Sequence, residues 1–541
     1  MQSAHLLMSA FFIQNNPNLF SYLWIAMKGI IILLIVLTSA QLFGQESLIP
    51  LHSFYKDHLF ANKLDKPYND GSFFPVSEAS YDLIPAINDS TDQYYDVTHT
   101  LFQKYLFEIR GKDYYIKISP AIDFSLGKDL GDTVNRTLFQ NTRGLHVEVN
   151  LFKKFAFSTS LYENQARFTN YESEYYSSHG ELYPKNNAYQ TQNGVIPGGG
   201  RTKEFKGDGF DYAFAVGYLV YSPFKWVRIM AGNNMQFIGD GHRSLLLSDN
   251  SYSAPYYRLD FTISPKFSFT YHRSRHMNLL RRPITSAVES YYEPKGFSVN
   301  YFTYKPIESM SISLFESGSW NRGDSITSRS SHGLYYNPVP FVSGLALKGK
   351  NEVVSLLGLN LSYQIAKSHR VYGQLAINDY NINKLGFQIG YRGYNYFGIG
   401  DFMLQVEYNN VAKGMYEVNN RRLNYAHYNL PVAHVKGSGF QEFLLRTNFE
   451  YKRAYLEASF VYYITKDYSS EALLPVYRTL TTSSNQIMYT NVELGYRFNR
   501  KMNLSIFASW TYRTVNDPTV LTTNFANVGI RTGFVNHYKD I

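Results

Sequence analysis

The densest run of chemically capable residues is Gly239-Asp240-Gly241-His242-Arg243-Ser244, which continues through Leu245-Leu246-Leu247 to Ser248-Asp249-Asn250. Carboxylate, guanidinium, hydroxyl and amide groups stand there between glycines that permit tight turns. A second run, Asn424-Tyr425-Ala426-His427 through Pro431 to His434, leads by Gly437 and Gly439 to Glu442. Aromatic rings beside amides and carboxylates suit sugars, whose apolar faces stack and whose hydroxyls take paired hydrogen bonds. The candidate ligand-binding set is therefore Gly239, Asp240, Gly241, Arg243, Ser244, Asp249, Asn250, Tyr425, His427, His434 and Glu442. A purely structural lid fits the same residues equally well. An apolar triplet is costly in a solvated loop, so Leu245 to Leu247 should fold back against the rest of the molecule, or inside it.

A third group, Glu407, Glu442, Arg446, Glu450, Glu457, Glu493 and Arg497, falls on one face of alternating segments. These charges bind a polar ligand, or line a pore, or pair with one another and fill the lumen; the paired network is the stronger expectation. No catalytic motif is present. Gly198-Gly199-Gly200 with Arg201 and Lys203 lacks the strand-to-helix setting of a phosphate loop. His242, His272, His276, His332, His427 and His434 never adopt a compact metal-ligand spacing. The residues give no support for an enzyme, a cofactor or a metal.

These residues need elements to hold them, and the chain is patterned for strands. Met502, Leu504, Ile506, Ala508, Trp510 and Tyr512 alternate with Asn503, Ser505, Ser509 and Arg513. Phe443, Leu445, Thr447, Phe449 and Tyr451 alternate with Glu442, Arg446, Asn448 and Glu450. Period two over about ten residues is what a strand with one lipid face and one wet face requires. Tight connections occur at Phe152-Lys153-Lys154, Ser222-Pro223-Phe224, Ser264-Pro265-Lys266, Lys305-Pro306-Ile307, Ala366-Lys367-Ser368, Tyr451-Lys452-Arg453 and Asn499-Arg500-Lys501. Between them lie long connections, such as 166 to 208, 239 to 253, 319 to 352 and 413 to 438. The expected fold is all-β, a transmembrane antiparallel β-barrel of about eighteen strands over residues 112 to 541, with both barrel ends at the periplasmic side. Its last strand is expected at 524 to 538, finishing on Phe534 and Tyr538.

Composition agrees. The 541 residues are 17% aromatic and 18% charged, which excludes disorder, and a mean hydropathy of -0.29 without repeated apolar runs excludes a helical membrane protein. A net charge of +9 attracts anionic surfaces such as lipopolysaccharide, but no basic block or motif points to nucleic acid. With no cysteine, disulfides, thiolate metal sites and a lipoprotein anchor are excluded.

The apolar run Ile30 to Leu37, after Met27 and Lys28 and before Thr38-Ser39-Ala40, reads as a secretory signal over 27–44, which makes 1–26 an over-called start. An N-terminal helical anchor is the alternative. Residues 45–111 then form a periplasmic segment. There Val97, Leu101, Phe102, Tyr105, Leu106 and Ile109 fall at helix spacing, so a helix could plug the periplasmic mouth; a loop entering the first strand is nearly as consistent.

The stretch Gly239-Asp240-Gly241, Ser244 to Asn250 and Pro255 resembles a pattern of the Wzi-like capsule-assembly outer-membrane β-barrel family. Asn141-Thr142-Arg143-Gly144, Tyr162-Glu163-Asn164-Gln165-Ala166, Gly386-Phe387-Gln388-Ile389-Gly390 and Gln405-Val406-Glu407-Tyr408-Asn409 resemble its Bacteroidota branch, which includes the gliding-associated surface protein RemB. The resemblance implies an eighteen-stranded barrel with a periplasmic helical element that attaches capsular polysaccharide at the cell surface. The family's aromatic-Gly-Pro-Gly run is here Ile238-Gly239-Asp240-Gly241, and the segment before the barrel is short for a helical bundle. Two alternatives follow: a partner of gliding motility or type IX secretion machinery, and, from the interior charges, a diffusion porin.

Overall fold

The computed structural model describes residues 47–62, 72–77, 104–134, 136–152, 154–186, 188–281, 292–322, 336–339, 342–347, 353–396, 401–476, 482–517 and 519–541. The expected signal, the over-called start and the helix residues Val97 to Phe102 lie outside them.

Each alternating segment forms a strand, and each strand pairs antiparallel with the next to give a closed barrel of eighteen strands. The first strand comes in two pieces, Tyr114–Pro120 and Asp123–Asp129, and the last, Thr519–Arg531, closes the barrel by pairing Phe525 with Asp129 and Arg531 with Asp123. Closure removes the open edges that a sheet of this length would otherwise present. The strand Phe440–Tyr451 shows the two faces: Glu442, Leu444, Asn448 and Glu450 are buried inward, while Phe443 and Tyr451 are exposed outward. Outward apolar residues on successive strands form a belt, among them Phe157, Leu161, Leu361, Tyr363, Ile389, Leu494, Ile506 and Val528. An apolar exterior around a polar interior is the arrangement of a membrane barrel.

Tight connections stand at one end of the barrel. Most are where the sequence places them, but one moves: Pro223 and Phe224 stay in the strand Gly209–Phe224, and the turn is Lys225-Trp226. A register shift between Tyr221 and Phe224 accommodates the proline, which has no N–H to give a ladder.

Two expectations at the chain's ends are corrected. Phe107–Arg110 is a strand rather than part of a helix; it forms a hairpin with Tyr114–Pro120 and pairs the edge that the last strand leaves bare. The last strand ends at Arg531, not at Tyr538, and residues 532–541 turn into the lumen, where Phe534, Tyr538 and Ile541 are buried. The helix α1, Ser53–Asn62, also lies inside. Phe54 packs under Arg497, Phe60 under Arg392, and the Asp57 carboxylate accepts from Arg446 at 3.0 Å.

Candidate functional site

The loop after the strand Val227–Asn234 turns inward because its first residues find a partner there. Phe237 and Ile238 pair antiparallel with Phe74 and Phe73 of the N-terminal segment. Gly239 follows at φ 131°, and a Cβ there would stand 2.4 Å from the Gln374 amide nitrogen. Only glycine meets both conditions. Leu245, Leu246 and Leu247 then join a buried cluster with the inward wall residues Phe297, Phe315 and Leu356. Gly358 leaves the room that Leu246 occupies, since a Cβ on it would lie 2.3 Å from a leucine methyl. The apolar triplet is thus inside the lumen.

The second run folds over the first, so the two are one unit. The Tyr425 hydroxyl donates to the Leu246 carbonyl at 2.7 Å, Ser248 N–H to the Val432 carbonyl at 2.8 Å, and the Asn250 amide to the Pro431 carbonyl at 3.3 Å. At the centre is Arg243. Its Nε donates to Glu442 Oε1 at 3.0 Å, an Nη donates to the Tyr463 hydroxyl at 3.1 Å, and the same nitrogen pairs with Asp540. Glu442 also accepts from Asn409 and from His434 Nε2, each at 2.7 Å. Asp240 accepts from Ser72 at 3.0 Å and from Arg370 at 3.2 Å, and the Ser244 hydroxyl donates to the Ile238 carbonyl. Asp249 accepts from Tyr538 at 2.7 Å and from Asn536 at 2.8 Å. The polar atoms that made this stretch a candidate ligand site mostly serve one another.

The histidines are held neutral. His427 accepts from Met277 N–H through Nδ1 at 2.9 Å and faces the Ser253 carbonyl through Nε2 at 3.2 Å. Burial pushes its pKa down to about 3, because an imidazolium there would lose its hydration. Burial also lowers His434, against the raising influence of Glu442.

The expected lumen charges separate into two groups. Glu407 belongs with the loop: it accepts from the backbone of His242 and Arg243, from Tyr372 at 2.7 Å and from Gln405 at 2.8 Å. Arg446, Glu450, Glu457, Glu493 and Arg497 lie nearer the tight-turn end. Arg497 bridges Glu450 at 2.9 Å and Glu457 at 2.6 Å, Arg446 holds Asp57, and Glu493 pairs with Arg531. Low-dielectric surroundings make such pairs costly to break one partner at a time.

Between this network and residues 533–541 lies a cavity of about 250 Å³, faced on the wall side by Gln140, Thr142, Asn164, Ser459, Asn491 and Asn527. Short hydroxyl and amide side chains make the space, and Asp123, Arg446, Glu457, Glu493 and Arg531 line it as well, so it is a polar cavity bearing charges of both signs. Among the described residues, no group of three or more His, Asp or Glu could hold a metal ion.

Asn536, Tyr538 and Asp540 carry no signal of this role in sequence: the first two fall within the expected last strand and Asp540 just beyond it. Sequence reasoning alone misses the inward amides Gln374, Gln388, Gln405 and Asn409 as loop partners. Their signal was present: Gln405, Glu407 and Asn409 alternate on one strand and all face inward.

No protein-family model matches the chain, and no curated protein matches it in sequence. Among solved structures, Wzi of Escherichia coli is similar over 91% of this chain and 100% of that one, at a TM-score of 0.53 and 13% identity. That protein is described as a carbohydrate-binding β-barrel of the outer membrane, involved in group 1 capsule assembly. OccAB2 of Acinetobacter baumannii covers 77% of this chain at a TM-score of 0.40 and 9% identity. The likeness to Wzi establishes the fold, a barrel of the outer-membrane type.

Proposed function

We propose that this chain spans the outer membrane, with its tight turns in the periplasm and its long loops outside, and binds surface (capsular) polysaccharide at the cell surface. The observation that carries the reading is the lumen, filled by α1, the 239–250 loop and the 532–541 tail, each bonded to another: Ser53 N–H donates to Asn536 at 2.8 Å, and Asn536 to Asp249. A barrel closed by its own chain leaves the long-loop end as the working surface. The ordered pair of loops beneath that end, the polar cavity beside them, and the full-length likeness to a carbohydrate-binding barrel of capsule assembly all favour polysaccharide. Outer-membrane lipid and lipopolysaccharide would surround the belt. Deleting the gene in its native host should release surface polysaccharide into the medium; retention equal to the parent would overturn the reading.

A second reading, a partner of gliding or type IX secretion machinery, draws on the resemblance to the Bacteroidota branch and on the connection 168–208. That connection builds its own helix, Asn170–Ser178, and a hairpin of Glu181–Lys185 with Ala188–Gln192. Its helix packs inward, with Tyr175 and Tyr176 buried and the Tyr171 hydroxyl donating to the Lys539 carbonyl at 2.7 Å, which leaves the hairpin tip at Lys185 and Ala188 exposed to a protein partner. Purification from native membranes that yields no stable partner would count against it. A diffusion porin has the filled lumen against it.

A further inference from the structure

The apolar belt has a notch. Along the strand Val353–Ala366, outward residues run apolar from Ile365 through Tyr363, Leu361 and Leu359 to Leu357. On the neighbouring strands the apolar run stops one outward position sooner. Phe315, Tyr301 and His272 pack inside, against the Leu245–Leu247 cluster or Phe73, so Glu316, Asn300 and Arg273 point outward by the alternation of a strand. Only Phe302 and Tyr304 precede Asn300 from the tight-turn end of Glu293–Tyr304, and only Met310, Ile312 and Leu314 precede Glu316 on Met310–Asn321. Glu316 lies directly beside Leu357 in the sheet, at a level where the next strand is still apolar.

These outward groups form a cluster. Arg273 donates to Asn300 Oδ1 at 3.1 Å, and the Asn300 amide donates to Glu316 at 3.4 Å. Arg273, Asn300 and Glu316 are nevertheless buried, because a piece of the 322–352 connection covers them from outside. The Tyr336 carbonyl accepts from the Tyr271 hydroxyl at 2.9 Å, and the Asn337 carbonyl accepts from Arg273 at 3.1 Å. The short helix Val342–Leu347 presses Gly344 on the wall, where a Cβ would lie 2.5 Å from the Tyr380 hydroxyl, 2.8 Å from Ser355 Oγ and 3.0 Å from Glu316. The covering piece turns apolar side chains away from the wall: Tyr336, Val339, Val342 and Leu345 are 44%, 53%, 43% and 58% exposed.

We propose that the pieces Tyr336–Val339 and Val342–Leu347 form a lipid-facing patch that fills the notch and continues the apolar belt over it, in the leaflet on the long-loop side. An ionic cluster facing acyl chains would be prohibitively costly, and a non-helical backbone is tolerated at that depth only where protein satisfies its polar groups. The contacts answer both needs: the wall's Tyr271 and Arg273 hold the Tyr336 and Asn337 carbonyls, and the covering pieces hide the wall's charges. Continuity with the belt selects lipid, rather than a second protein, as the occupant.

The inference rests on the transmembrane reading, and one experiment separates the two. The chain has no cysteine, so Leu345→Cys, Leu494→Cys in the belt and Lys203→Cys in the 168–208 connection each give one labelling position. Each full-length variant, checked for parental heat-modifiable migration, is labelled with NBD and reconstituted into phosphatidylcholine vesicles with or without acyl-chain doxyl lipid. The label at 345 should show blue-shifted emission and lose intensity to doxyl lipid as the 494 label does, while the 203 label does neither. Water-like, unquenched emission at 345 beside a quenched 494 overturns the proposal. If that label is then shielded in native outer membranes, a protein occupies the patch instead. Unquenched emission at both positions would remove the transmembrane reading as well.

Discussion

Arg243 Nε and Glu442 Oε1 meet at 3.0 Å in the middle of the lumen, one from a loop and one from the wall, with neither side chain more than 2% exposed. Asp540 completes the arrangement from the far end of the chain. Three segments that are remote in sequence are tied at one guanidinium.

Removing that guanidinium leaves two carboxylates buried without their partner. Arg243→Met is expected to cost about 3–5 kcal/mol, the usual penalty for halving a buried ion pair. The temperature at which the folded band is lost in a heat-modifiability gel should fall. Adding Glu442→Gln and Asp540→Asn should recover part of the loss.

The tail from Gly533 to Ile541 lies beyond the last strand, so shortening the chain after Thr532 leaves all eighteen strands in place. It removes Asn536, Tyr538 and Asp540 from the loop and opens the 250 Å³ cavity. In planar bilayers the intact chain should conduct near baseline, and the shortened one should show discrete openings.

Acid should destabilise the fold through the buried histidines. His427 titrates at about 3 when folded and near 6.5 when unfolded, so its contribution is present above about pH 6.5 and lost as pH falls towards 3. The slope from this one residue is about 1.4 kcal/mol per pH unit within that window. His427→Gln should flatten urea-midpoint against pH between pH 6 and 4 relative to the parent.

Gly358 should tolerate no side chain. Gly358→Val places carbon where Leu246 sits, and overpacking of this kind costs about 1–3 kcal/mol. Limited proteolysis should then cut within 239–250, a stretch whose burial should protect it in the parent.

The local alternation of Phe443, Leu445 and Phe449 with Glu442, Arg446 and Glu450 was readable in sequence because a strand's two faces meet opposite solvents, and neighbours two residues apart carry that record. The same record extends across the wall, and with the tight turns it was enough for the number of strands. It also showed that Leu245 to Leu247 could not remain in water. It could not say where that loop would dock, or that its polar residues would be used up in bonds to Gln374, Glu407, Tyr425 and Asp540.

What fills the lumen left no such periodic trace. The helix Ser53–Asn62 is surrounded by wall and tail, so Phe54, Asp57, Leu59 and Phe60 are all buried and no polar stripe marks it; the apolar spacing around Val97 to Ile109 was the more conspicuous pattern. The tail misled for a related reason, since Phe534 and Tyr538 carry the aromatic ending of an outer-membrane strand but spend it on packing inside. The sequence by itself therefore determined the wall, whose strands answer to their immediate surroundings. Only the tertiary structure decided the plug, the place of the Arg243 pair and the covered notch, because each depends on contacts between segments that no local period connects.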